Sequence, residues 1–143
     1  MVGFVIVSHS RKLAEGVVEL AKMMAPDVPQ VAAGGLEDGS FGTSFERILE
    51  AVNEIYSEDG VIVLMDLGSA VMTTEMVLEA LDGQKLAMAD CPLVEGAVVA
   101  AVNAAGGMSF EEILKDFPAS LRIPSIRSTQ GCSTSISRSS MAI

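Results

Sequence analysis

The sequence has no tryptophan, a single histidine and only two cysteines in 143 residues. Cys91 and Cys132 stand at unrelated places, outside any CxxC pair or Cys/His cluster, so neither a zinc site nor a disulfide framework has spacing to support it. A reducing cytoplasm is the compartment expected. No apolar run approaches bilayer length, and "MVGFVIV" lacks a basic n-region and turns polar at "SHSRK", so neither membrane insertion nor a signal peptide is expected. Nucleotide fingerprints are missing too, with no GxxxxGK followed by Ser or Thr and no GxGxxG. No metal and no cofactor is expected. Positive charge is scarce: residues 1–117 hold all 19 acids against six of the nine basic residues, a net −13. Such a body makes nucleic acid a poor partner and favours basic protein partners by electrostatic steering.

Half of the residues are apolar, enough for the core of one compact domain. "GFVIVSH" reads as a strand, and in "SRKLAEGVVELAKMMAP" Leu13, Val17, Leu20, Ala21 and Met24 recur at helical spacing until Pro26. "VPQVAAGG" is a short strand ending in a glycine pair, followed by a loop and by "TSFERILEAVNEIYS", a helix with Thr43 or Ser44 as N-cap. "DGVIVLMD" is a continuous apolar strand, and "AVMTTEMVLEAL" a helix with Val71, Met72, Met76, Val77 and Leu81 expected to face inward. "KLAMAD" gives a fourth strand, followed by a helix after Pro92 and a short amphipathic "SFEEILKDF". Strands alternating with helices at this spacing specify an α/β fold, a three-layer α/β/α sandwich around a parallel four-stranded sheet. Residues 118–143, with eight serines, two threonines and no acid, break the rhythm. They read as a disordered linker or as sequence foreign to the domain.

In an open parallel sheet, ligands and reactive groups collect beyond the carboxyl ends of the strands, where strand order reverses. With the common order 2-1-3-4, strands one and three flank that point; His9 ends the first and Asp66 the third. Neighbouring strands lie about 4.8 Å apart, so carboxylate and imidazole can meet there. A hydrogen bond from Asp66 to one ring nitrogen fixes the tautomer and leaves the other nitrogen as a nucleophile. Gly68 and Ser69 in "DLGSA" open the third helix, where free N–H groups and the positive dipole end favour a phosphate. Ser8 and Ser10 flank the histidine, and Thr43 stands at a second helix start; all three are candidate supports for that phosphate. A histidine nucleophile with no second base, nucleophile elbow or metal ligands points to phosphoryl transfer between proteins.

Together "VIVSHSRKLAEGV", "AAGG" followed by "FGTS", "VLMDLGSA" and "CPLVEGA" resemble the mannose-type EIIA domains of the phosphotransferase system. The resemblance covers residues 1–117. Within that family, "DLGSA" and the absence of tryptophan resemble the branch that serves phosphoenolpyruvate-dependent dihydroxyacetone kinases. The resemblance implies a sheet of order 2-1-3-4, a homodimer, phosphorylation of His9 at Nε2 and an orienting role for Asp66. It further implies HPr as donor and ADP on the DhaL subunit as acceptor, with DhaK holding dihydroxyacetone. A sugar-transporter EIIA domain, or a regulatory module phosphorylated on the same histidine, remains the alternative. A response-regulator receiver lacks its acidic pair where this chain has "SHS", and a histidine phosphatase lacks a second basic cluster beyond Arg11 and Lys12.

Overall fold

A computed structural model describes residues 1–66, 68–89 and 91–120, leaving aside the side chains of residues 68, 69 and 117–120. Most of the serine-rich tail, residues 121–143, lies outside the described residues. The chain runs β1 (Gly3–Ser8), α1 (Arg11–Met24), β2 (Gln30–Gly34), α2 (Phe45–Ile55), β3 (Val61–Met65), α3 (Gly68–Ala80), β4 (Leu86–Ala89), α4 (Leu93–Ala105) and α5 (Phe110–Ser120). All strand pairs are parallel, in the order β2-β1-β3-β4. The expected α/β sandwich and its strand order are therefore observed.

Every residue of β1 and β3 is buried, because helices cover both faces of the sheet. Side chains alternate across the pleat: Phe4, Ile6, Ile62 and Leu64 pack with α1, α4 and α5, whereas Val5, Val7, Val63 and Met65 pack with α2 and α3. The helices sit close because small residues face the strands. Gly34 of β2 shows how close: a Cβ there would lie 2.6 Å from the Ser10 carbonyl oxygen and 2.7 Å from the Ala14 Cβ. Only glycine lets the start of α1 rest on the end of β2.

Two helices turn differently from the periodicity reading. The buried face of α1 is Ala14, Val17, Val18 and Ala21, while Leu13, Leu20 and Met24 are exposed. At about 100° per residue these two sets point roughly a quarter-turn apart, and the smaller set wins because it allows the closer approach. In α3 the buried residues include Ala70, Thr74 and Val77, with Val71 and Leu81 packed at the margin. Met72 and Met76 face outward, 68% and 57% exposed. The helix is apolar on nearly all sides, so its period alone could not choose a face.

Candidate functional site

The register of the sheet builds the site. Val7 pairs with Met65 and Ser8 with Gly34, so the next residues, His9 and Asp66, leave the same edge on adjacent strands. His9 Nδ1 lies 3.1 Å from Asp66 Oδ1. The other carboxylate oxygen, Oδ2, accepts the Ser8 hydroxyl at 2.8 Å and the His9 backbone N–H at 3.1 Å. Asp66 thus grips the backbone and ring of His9 together. The side chains of His9 and Asp66 are 25% and 14% exposed, enough shelter to strengthen the bonds and enough opening for the ring to be reached.

Burial alone would raise the Asp66 carboxyl, but hydrogen bonds from the Ser8 hydroxyl, the His9 N–H and the His9 ring outweigh it and hold the group below its ordinary value. Asp66 is therefore a carboxylate at neutral pH, an acceptor only. In neutral His9 the proton belongs on Nδ1, which makes Nε2 the nitrogen with the lone pair.

The neighbouring polar residues have separate tasks. Ser8 is fully buried, and its oxygen also accepts the Ser10 N–H at 2.9 Å. Ser10 caps α1, its hydroxyl accepting the Leu13 N–H at 3.2 Å. Ser44, rather than Thr43, caps α2. The Thr43 hydroxyl instead meets that of Thr73 at 3.1 Å, tying the start of α2 to α3. Gly68 and Ser69 form the first turn of α3 at the same sheet edge, and the Ser69 side chain lies outside the described residues.

Residues 35–44 form one wall. Gly35 turns the chain with φ +68° beyond β2, and a tight turn joins Leu36 to Ser40. Arg11 braces this loop from below, donating from Nη2 to the Leu36 and Glu37 carbonyls at 3.0 and 3.1 Å. The Gly42 N–H then bonds the His9 carbonyl at 3.0 Å. Three contributors were not singled out from the sequence for these contacts: the inward Ser8 hydroxyl acting on Asp66, the Arg11 brace and the Gly42 N–H. Strand alternation, continued one residue past Val7, would have turned Ser8 inward; Arg11 and Gly42 have no comparable signal, since a loop conformation sets them.

Comparison with known proteins gives this arrangement a family. The model described as "EIIA-man: PTS system fructose IIA component" matches residues 3–114, and the chain belongs to that mannose-type EIIA family. Its similarity reaches particular relatives. It is 40% identical over 111 residues to the phosphotransferase subunit DhaM of the PTS-dependent dihydroxyacetone kinase of Lactococcus lactis, covering 78% of this chain and 89% of the relative. It is also 40% identical over 123 residues to the phosphoryl donor subunit DhaM of the PEP-dependent dihydroxyacetone kinase of Escherichia coli, covering 81% of this chain but only 26% of the relative. The chain spans about a quarter of the length of that longer relative. A crystal structure of a protein of unknown function superposes with TM-score 0.72 at 29% identity, over 80% of this chain and 90% of that one.

Proposed function

We propose that this chain is the phosphoryl relay of a phosphoenolpyruvate-dependent dihydroxyacetone kinase. His9 takes a phosphoryl group from phospho-HPr and passes it to ADP on DhaL, which serves the dihydroxyacetone held on DhaK. The observation that carries the reading is the 3.1 Å contact of His9 Nδ1 with Asp66 Oδ1 at the ends of adjacent parallel strands. In the first half-reaction the Nε2 lone pair attacks phosphorus, the N–P bond forms and the donor's bond to phosphorus breaks. The Nδ1 proton stays against Asp66, whose negative charge offsets the positive charge developing on the ring. In the second, a terminal phosphate oxygen of ADP attacks phosphorus and the Nε2–P bond breaks, returning the neutral imidazole. The start of α3 at Gly68 and Ser69 supplies N–H groups and a positive dipole end suited to the phosphoryl oxygens, with Ser10 and Thr43 at the starts of the two flanking helices.

The protein works in this reading as a cytoplasmic homodimer; among the described residues no helix is long and apolar enough to cross a membrane. The names of the relatives support the kinase acceptor over a sugar-transport acceptor. Incubation with phosphoenolpyruvate, enzyme I and HPr should add one acid-labile phosphate to the intact mass, and His9→Ala should remove that uptake. Added DhaL with ADP should discharge the phosphate with formation of ATP. Retention of the phosphate would return the chain to the sugar-transport or regulatory class.

A further inference from the structure

Arg11 is the first residue of α1, two positions after His9, and its guanidinium reaches out to the loop of residues 35–44. Nη2 donates to two successive carbonyls, those of Leu36 and Glu37, and a bond from a cation is about twice as strong as one between neutral groups. The Leu36 carbonyl also accepts the Gly39 N–H at 2.9 Å, and the Leu36 N–H bonds the Ser40 carbonyl at 2.9 Å. Arg11 therefore holds this turn at its base. With Gly35, Gly39 and Gly42 in it, the loop has little stiffness of its own.

The hold is passed on to His9 through Leu36. The Leu36 side chain lies on Gly42: a Cβ there would stand 3.0 Å from both Cγ and Cδ2 of Leu36. Gly42, with φ +147°, directs its N–H to the His9 carbonyl at 3.0 Å. Leu36, gripped at its carbonyl by Arg11, thus presses with its side chain on the group that fixes His9 from the carbonyl side. Farther along the loop, Ser44 Oγ donates to Glu37 Oε2 at 2.8 Å while it caps α2. Glu37 so links Arg11, through its carbonyl, to the start of α2, through its carboxylate. The bonds from Asp66 go to the N–H and the ring of His9, so its carbonyl side depends on this second route.

We propose that Arg11 is a positioning residue for transfer at His9: it holds Leu36 and Glu37, and through Leu36 and Gly42 it fixes the backbone from which the imidazole is aimed. The inference rests on the relay reading of His9, in which Nε2 must meet phosphorus in line. A misplacement of about 1 Å can cost about 100-fold in rate, so a loosened loop slows transfer although Arg11 acts on no reacting atom.

The test compares two variants with the wild type. Arg11→Met keeps an unbranched stem and loses the donor; Arg11→Lys keeps the charge but replaces the planar fork by one ammonium on a shorter stem. Amide hydrogen exchange followed by NMR reports the Gly42 N–H, and labelling of His9 over a range of phospho-HPr concentrations separates kcat from KM. In Arg11→Met the Gly42 amide should exchange about tenfold faster and kcat should fall about tenfold, with KM unchanged. Arg11→Lys should show both losses together. A kcat that falls while Gly42 exchange stays at the wild-type level overturns the proposal, as does a wild-type kcat in a variant whose Gly42 exchange has risen. A rise in KM with kcat unchanged also overturns it and makes Arg11 a contact of the donor. Should Arg11→Met not fold, Arg11→Lys decides by the same two readouts. Wild-type uptake with unaltered variants removes only the role of Arg11; if wild-type His9 takes no phosphate from phospho-HPr, the relay reading falls and this inference with it.

Discussion

The two ends of the sheet carry similar polar side chains and use them differently. At the carboxyl end, Ser8, His9 and Asp66 are part-buried and bonded to each other through defined atoms. At the amino end, the Met1 amino group pairs with Asp59, and Lys85 Nζ lies 3.2 Å from Glu111 Oε2 and 5.3 Å from the centre of the Phe110 ring. Those groups are open to water, and beside them Met1, Asp59, Lys85 and Phe110 line a cavity of about 410 Å³. Ion pairs in solvent contribute little, because water screens them and the long side chains lose freedom. Partial burial is what turns a carboxylate beside a histidine into a holder of its orientation. The fold provides it only where β1 and β3 end together.

The largest effect should come from removing that holder. Asp66→Ala should slow phosphoryl uptake by at least about 10–100-fold, the loss seen when the hydrogen-bond partner of a metal-ligating histidine is removed, with the folded chain retained; rapid-quench kinetics and far-ultraviolet circular dichroism measure the two. The same carboxyl should shape the acid limb of stability. Its folded pKa lies below the ordinary value of about 3.9, so its contribution is complete above that value and is lost as pH falls through the folded one. Denaturation curves taken across that window should fall less steeply with acid in Asp66→Ala than in wild type. A parallel fall in both would remove Asp66 from the account.

Gly34→Ala should come next, costing about 1–3 kcal/mol, because the new Cβ would press on the Ser10 carbonyl and Ala14 where neither can move freely. Urea unfolding measures it. Since α1 starts there, transfer should slow as well, sharpening the link between close packing and the site. Ser8→Ala should cost about 1–3 kcal/mol, since it removes both the bond donated to Asp66 and the one accepted from the Ser10 N–H, and should raise the Asp66 carboxyl toward its ordinary value. Carboxyl resonances followed by NMR report that shift directly. Lys85→Met, at the other end of the sheet, should leave both the urea midpoint and phosphoryl uptake unchanged; a measurable loss of either would break the contrast between the two ends.

The architecture was legible because β1 and β3 are continuous apolar runs and the helices are bounded in the sequence by Pro26 after α1, Thr43 or Ser44 before α2 and Pro92 before α4. From the strand order, the meeting of His9 and Asp66 followed with no knowledge of any loop. What was not legible depended on packing distance. Leu13, Leu20 and Met24 have helical spacing, yet α1 turns its smaller residues inward so that it can lie on Gly34. Met72 and Met76 were expected inside because size and hydropathy favour burial, but the sheet admits only the narrow side of α3. The cap of α2 was read as Thr43 or Ser44; the structure gives it to Ser44 and sets the Thr43 hydroxyl against that of Thr73.

The backbone of His9 is anchored on both sides, its N–H by Asp66 and its carbonyl by Gly42. With the main chain clamped and the ring held at Nδ1, the residue has no reach of its own. It is a fixed mooring rather than a swinging arm, and the travel in a transfer at this edge must be made by the molecules that call there. In the relay proposed above, turnover would be governed by how often and how squarely they arrive, and the chain itself would need to change shape very little between its charged and discharged states.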